Sequence, residues 1–317
     1  MSRFPFPMPY GWFQIGYEDD LEPGGVKPLR YFARDLVLWR DAGGTYHVQD
    51  AICPHLGAHL GYGGTVEGDD ITCPFHGWTF DGAGTCTKIP YSDRVNRKAR
   101  IATYPLAVTN HLLMVWYHPD GLEPQWEIPQ FAEVDDPEFS DSYNSVFTVR
   151  TAIQEMAENA VDPAHFRYVH GTDEVAEIVS YEQTGHVAEM KSAQSYVTPR
   201  GVVIGEINAT SVGPGFSYTW FHGIVDALLF GCAIPVDETT VENRFSFKTR
   251  MGANPEATRS VAEAFMGMVN MQFEQDMVIW EHKAHLPTPA LADTDGPIMK
   301  FRRWFAQFYD TKANAEV

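Results

Sequence analysis

Cysteine is scarce in this chain, four in 317 residues. That is too few for the disulfide framework of a small secreted domain, so cysteine here points to metal binding or to buried free thiols. No apolar run approaches the roughly 18 residues of a membrane span. Basic residues are also thin: 23 Lys and Arg face 42 Asp and Glu, a net charge of −19. This argues against nucleic acid and against a stable anchor on an anionic membrane. The opening stretch MSRFPFPMPYGW has neither the basic start and apolar run of a signal peptide nor a cleavage site, so a cytoplasmic location is expected. A dinucleotide site is missing as well. GYGGTVEG (61–68) lacks the strand, G-x-G-x-x-G, helix order. Any electrons from NADH must therefore arrive through a separate reductase.

Against these absences stands one dense stretch, AICPHLGAHLGYGGTVEGDDITCPFHGW (51–78), which holds Cys53, His55, Cys73 and His76. A structural zinc ion takes two Cys and two His, but usually from tight C-x-x-C knuckles. Here each pair is mixed, C-x-H and then C-x-x-H. Each loop can send its Cys to one iron and its His to another, as a Rieske [2Fe–2S] centre requires. Gly57, Pro74 and Gly77-Trp78 suit two tight loops at the tip of a β domain. His59 matches neither pair and reads as a packing or surface residue. Cys86 and Cys232 read as buried free thiols. Such a cluster relays electrons, so a destination is needed.

A second set lies in ENAVDPAHFRYVH (158–170). Asp162, His165 and His170 offer two imidazoles and a carboxylate, the ligand types of a facial triad at non-haem Fe(II). Five residues rotate a helix by about 140° beyond a full turn. His165 and His170 can therefore share a metal only where the helix is distorted or ending; Asp162-Pro163 and Gly171 supply the breaks. Asp162 suits either the ligand or a hydrogen-bond partner of a ligand histidine. Asp276, in MQFEQDMVIWEHK, is the other choice. A carboxylate on a face with Gln272, Phe273 and Trp280 needs a partner, whereas Glu274 and Glu281 rotate away. Asp276 is taken as the ligand and Asp162 as the bridge.

The fold class expected is α+β. Short aromatic and β-branched runs (WFQIGY, LRYFARDLVLWR, TYHVQDAI, IATYPLAV, LLMVWY) make residues 1–125 a β domain. Proline-bearing HPDGLEPQWEIPQF marks the boundary. Residues 126–317 begin with SVFTVRT, continue through strand-like GVVIGEINATSV, FSYTWFHGIVDALLFGCAIPV and TVENRFSFKTRM as a wide antiparallel sheet, and add a long helix over about 256–282. Val261, Phe265, Val269, Phe273 and Trp280 form its expected apolar side. PIMKFRRWFAQFYD closes as a further helix.

These stretches together resemble the oxygenase components of Rieske non-haem iron monooxygenases. They look most like the bacterial 3-ketosteroid 9α-hydroxylase type, and more distantly like cholesterol-desaturating Rieske proteins of animals. The resemblance is carried by PYGWFQIG, VKPLRYFARDLVLWR, CPHLGAHLGYGG, CPFHGWTFDGAGTC, ENAVDPAHFRYVHG, QFEQDMVIW and DGPIMKFRRWFAQFY. It implies a Rieske domain joined to a helix-grip (START-like) catalytic domain. It also implies Cys53, His55, Cys73 and His76 at the cluster, and His165, His170 and Asp276 at the iron. A homotrimer follows, with Asp162 bridging one subunit's cluster to its neighbour's iron, and Asn159 as a polar residue near that iron. O₂ is the co-substrate. Phe166, Tyr168, Phe216, Trp220, Phe230, Met271 and Phe273 are candidates for a pocket that takes a large apolar molecule. Steroid hydroxylation leads. Hydroxylation, demethylation or desaturation of another apolar compound is the alternative, and an electron carrier or zinc protein with a degenerate second site is the alternative of another class.

Overall fold

The computed structural model describes residues 3–172, 175, 177–198, 201–223 and 225–309, with the side chains of 194–198 and 201–204 left aside. The chain packs as two units. Residues 15–117 form one, and the described parts of 1–14 and 118–317 form the other. The sequence places the boundary near 125, but the break in packing falls at Tyr117 and His118. The first residues join the second unit through Tyr10 N–H donating to the Phe308 carbonyl at 2.9 Å and Trp12 Nε1 to the Trp126 carbonyl at 2.7 Å.

Within 15–117, LRYFARDLVLWR is not one strand but a hairpin, Val26–Tyr31 paired with Arg34–Arg40. Phe32 and Ala33 make the turn at φ +57° and +56°, a conformation costly for a bulky residue. Burial offsets it: Phe32 is 3% exposed and stacks flat on Tyr117 at 4.2 Å. A four-stranded meander follows, Thr65–Glu67, Asp70–Thr72, Thr79–Asp81 and Cys86–Lys88. It shares a core of Trp39, Leu60, Ile71, Trp78 and Phe80 with all three cysteines of this unit.

The second unit is a seven-stranded antiparallel sheet gripped by a long helix. From one edge the order is Tyr143–Val149, Thr240–Thr249, Ala227–Asp237, Phe216–His222, Gly201–Val212, Val187–Thr198 and Glu177–Thr184. The helices are α1 (Ile153–Ala157), α2 (Ala164–Tyr168), α3 (Pro255–Trp280) and α4 (Ile298–Ala306). α3 starts where Asn254 accepts the Ala257 N–H at 3.2 Å and proline stands at the first turn, as capping demands. Its buried stripe is Ala262, Met266, Phe273, Asp276 and Trp280. Val261, expected inside, is 45% exposed: the stripe is turned by one residue in the first half, while Phe265 and Val269 stay half-buried beside it.

Strand parity divides the sheet. The odd-numbered residues of the strands between 209 and 247 face α3. At one end they are large, with Leu229 and Phe247 packed on Ala262 and Met266. Toward the other end they shrink to Ala209, Ser211, Ser217, Thr219, Gly231 and Ala233. There the sheet and the second half of α3 part around a cavity.

α1 and the segment after it are pinned by buried charge. Glu155, fully buried, meets Lys283 Nζ at 2.8 Å and His285 Nδ1 at 2.6 Å. Glu158 takes Arg302 through Nε at 2.5 Å and Nη2 at 3.0 Å. Burial opposes the charge on Glu155, but its hydrogen bonds to Lys283 and His285 outweigh it and hold the carboxyl below its ordinary range. A folded-state pKa below the unfolded value of about 4.3 gives stability that is complete above that value and lost as pH falls through the folded one. The expected result is that Glu155→Gln lowers the melting temperature at neutral pH and that its deficit against wild type shrinks as pH falls from about 5 to 3. A deficit independent of pH would refute this role.

Candidate functional site

Two loops of the same design hold the four ligands in residues 15–117. In each, the cysteine N–H donates to a carbonyl five residues on, Cys53 to Ala58 and Cys73 to Trp78, both at 2.8 Å. A glycine N–H four residues on returns to the cysteine carbonyl at 3.0 Å, from Gly57 and Gly77. Those glycines sit at φ +78° and +68°, where a side chain would strain the loop. Both cysteines are buried, and burial, with Cys73 alongside, pushes the Cys53 thiol up to about 11. A pair of thiolates there needs a cation. The two histidines lie outside the sulfurs, half-buried, with rings 4.7 Å apart. His55 stacks on Trp78 at 4.4 Å, and Trp78 donates to the Tyr91 hydroxyl at 2.7 Å.

This donor set is graded, sulfur inside and imidazole outside, which fits one iron for each ligand type. It does not fit tetrahedral zinc. Among the described residues, the trio whose ligating atoms all lie within 4.8 Å of one another is His165, His170 and Asp276, not any three of these four. His59 is not part of the set: its Nδ1 accepts the Gly61 N–H at 3.0 Å. Cys86 and Cys232 are buried and free, and burial pushes Cys232 up to about 12.

The trio stands in the second unit. After α1 a single 3-10 turn, Glu158–Val161, ends at Asp162 in extended conformation. α2 then carries His165 for only five residues, and Gly171 at φ +71° releases the chain just beyond His170. The helix is broken where the spacing of the histidines requires. His170 Nε2 lies 3.4 Å from Asp276 Oδ2, and the two imidazoles stand nearly perpendicular at 5.1 Å. His165 Nδ1 donates to the Asp162 carbonyl at 2.5 Å, and His170 Nδ1 donates to Gln275 Oε1 at 2.9 Å. Both acceptors fix the proton on Nδ1 and leave the Nε2 lone pairs for a metal.

Burial pushes the Asp276 carboxyl up, with His165, His170 and Asn159 pulling it only partly back. Burial likewise lowers His165. Each shift favours the neutral group, and a bound dication reverses the balance for the carboxylate while keeping the imidazoles neutral. Asn159 joins two elements: it hydrogen-bonds Asp276, and its Oδ1 accepts from Trp280 Nε1 at 3.2 Å.

Asp162 touches the trio through its main chain. Its carboxylate accepts the Ala164 N–H at 3.1 Å, and its main-chain carbonyl, not the carboxylate, holds the ligand histidine. Gln275 was invisible to spacing arguments, which placed Gln272 on that face. Gln275→Leu is expected to weaken retention of the mononuclear iron by about 10–100-fold without changing cluster absorption, as read by iron content after dialysis against a chelator. Unchanged retention would remove Gln275 from the site.

The cavity beside the trio measures about 260 Å³ and reaches Asn159, Asp276 and Trp280, near the lower end of the roughly 300–1,000 Å³ common for ligand pockets. Of the pocket candidates, Phe273 lines it with its ring, while Phe216 borders it only at the start of its strand and turns its ring to the other face, against Phe230 at 5.7 Å. Phe166 packs on His165 at 4.4 Å and His170 at 5.5 Å without reaching the cavity wall. Tyr168 is 81% and Met271 50% exposed, both turned outward. Trp220 and Phe230 have even parity and lie on the opposite face of the sheet, under Phe139 and Phe131 of the connector.

A model of the Rieske [2Fe-2S] domain matches residues 11–105, and one of the 3-ketosteroid 9α-hydroxylase C-terminal domain matches residues 115–309. A 3-ketosteroid-9-alpha-monooxygenase oxygenase component of Rhodococcus rhodochrous is 32% identical over 319 residues, spanning 94% of this chain and 83% of the relative. A cholesterol 7-desaturase of Xenopus laevis is 32% identical over 340 residues, spanning 98% of this chain and 74% of the relative. In fold, the crystal structure of dicamba monooxygenase bound to dicamba superposes with a TM-score of 0.78 at 18% identity, over 97% of this chain and 98% of that one. With sequence kinship running through both units, the chain belongs to the 3-ketosteroid 9α-hydroxylase family of Rieske oxygenases.

Proposed function

We propose that the chain is the terminal oxygenase of a multi-component system and hydroxylates a large apolar substrate of 3-ketosteroid type at an unactivated carbon, the 9α position. The observation that carries this is the cavity: among the described residues, small and aromatic side chains line it, Asp276 is the one charged wall residue, and no Lys or Arg faces it. A neutral, rigid hydrocarbon skeleton suits such a lining, and an anionic acid does not. The unit of residues 15–117 acts as the electron-carrying part and the unit that holds the trio as the oxygen-activating part. A separate reductase supplies electrons, as the name of the Rhodococcus rhodochrous relative, an oxygenase component, suggests. A homotrimer brings one subunit's His55 and His76 to its neighbour's Asp162.

When bound, the cluster transfers single electrons and the iron activates O₂. The overall change consumes R–H, O₂, two electrons and two protons, and yields R–OH and water. The chain's part is positional. Cys53, Cys73, His55 and His76 hold the cluster. His165, His170 and Asp276 hold the iron, oriented by the Asp162 carbonyl, Gln275 and Asn159. Phe245 and Phe273 exclude water and seat the skeleton.

The equal 32% identity to a cholesterol 7-desaturase makes desaturation at the same centre the second reading. A single-turnover assay separates them. Chemically reduced, iron-replete protein meets O₂ and androst-4-ene-3,17-dione, and products are weighed by mass spectrometry. A gain of one oxygen, absent in His165→Ala, is the expected result. Loss of two hydrogens would favour desaturation, and re-oxidation with no steroid product would sink the steroid assignment.

A further inference from the structure

We infer that Asn243 is a specificity-determining residue: its side-chain amide donates a hydrogen bond to a neutral oxygen acceptor, a ketone or hydroxyl oxygen, carried on the apolar skeleton of the substrate. This rests on reading the cavity as the substrate site, but not on the steroid assignment.

Asn243 has odd parity in the strand Thr240–Thr249 and lines the cavity while only 4% exposed. Its amide nitrogen is buried and has no hydrogen-bond partner among the described residues. Buried amides are nearly always paired, and one left unpaired costs stability. A structural asparagine in a sheet would bond a polar neighbour across the strands. Here the cross-strand neighbours on its own face are Ala233 and Phe147, and neither side chain offers an acceptor. Ser211 and Thr219 bring hydroxyls to the same wall, and three of the cavity's other polar groups are engaged. Ser217 Oγ donates to the Gly231 carbonyl at 2.8 Å, Asn159 holds Trp280, and Asp276 adjoins His170.

The acceptor is neutral because, among the described residues, no Lys or Arg lines the wall to hold an anion. It is borne on a hydrocarbon skeleton because Met156, Pro214, Phe245, Phe273 and Phe305 make the wall largely apolar. One cavity reaches Asn243 on the sheet and Asp276 on α3. An oxygen held at the first therefore sets which carbon stands nearest the second.

The test is equilibrium binding to the iron-replete protein without O₂, followed by quenching of tryptophan fluorescence, since Trp280 and Trp304 line the cavity. Two matched pairs serve as probes: androst-4-ene-3,17-dione with its hydrocarbon androst-4-ene, and 2-decalone with decalin. Wild type is expected to bind the ketone of at least one pair about 10–100-fold more tightly, the range for a buried donor satisfied or stranded. Asn243→Leu and Asn243→Asp should both abolish that preference while leaving the hydrocarbon's affinity within about threefold. Leu keeps the size and removes the amide, and Asp keeps an acceptor but loses the donor. Preference for decalone with no steroid binding would support Asn243 and overturn the steroid reading. If wild type prefers neither ketone, including by failing to bind them, or if the preference survives in whichever variant folds, the proposal is overturned and the amide serves only a bound water.

Discussion

His165→Ala is expected to lose the mononuclear iron and all product formation while keeping the cluster's two irons and its visible absorption. His165 supplies one of three donor atoms gathered within 4.8 Å, and Fe(II) gains little from the His-carboxylate pair left behind. The loss should stay local. Residues 15–117 pack as their own unit around their own core, so nothing in the substitution reaches the cluster loops. Its cost to the fold is small as well, because α2 is short and none of its residues is fully buried. Iron quantitation, an absorption spectrum and the single-turnover assay read all three outcomes from one preparation. An iron content equal to wild type, or product at more than a trace, would remove His165 from the metal site.

The second large effect is expected from Cys73→Ser: loss of both cluster irons and of the cluster's absorption, with mononuclear iron retained. Serine's oxygen is a poor substitute for thiolate at iron, and the new hydroxyl would lie 3% exposed in a core of Ile71, Trp78 and Phe80. The melting temperature of this unit should fall with the metal, because loops held by a metal draw folding free energy from it. Cys86→Ser provides the control. Cys86 is 4% exposed in the same core, but its thiol turns to the Lys88 carbonyl at 3.7 Å. It should cost some stability and no iron. Loss of the cluster from both variants would mean that packing, not ligation, explains the first.

Metal ligation was the part most open to reading in one dimension. Cys53 with His55, and Cys73 with His76, lie within single loops, so the chemistry of the cluster is written as short local spacing. His165 and His170 are nearly as local, and their awkward interval, with Asp162-Pro163 before and Gly171 after, already required the helix to break. Asp276 was harder. It stands 111 positions beyond His165 in the chain, and only its place between Phe273 and Trp280 on a long helix marked it. The same kind of argument misplaced Val261 because an apolar stripe two residues wide at one point can be drawn through either neighbour.

What depends on a face of the sheet was not readable. Trp220 and Phe230 are as aromatic as Phe245 and Phe273, and composition gives no reason to separate them. A one-residue change of parity sends a side chain to the other side of the sheet, and the connector's Phe131 and Phe139 claim the aromatic face. The cavity is instead made by what strands usually do without, Gly231, Ala233, Ala209 and Ser211, residues that attract no notice in a sequence.

The sequence by itself determined the cofactor chemistry and the α+β fold class and named candidate ligands, because ligand chemistry and helix or strand periodicity act over a few neighbouring residues. The tertiary structure alone decided the rest: that Gln275 fixes the proton on His170, that the main chain of Asp162 and not its carboxylate holds His165, and that Asn243 faces the cavity with its amide unpaired. Each of these joins or separates groups brought together only when the sheet closes on α3, and no local rule of spacing reaches that far.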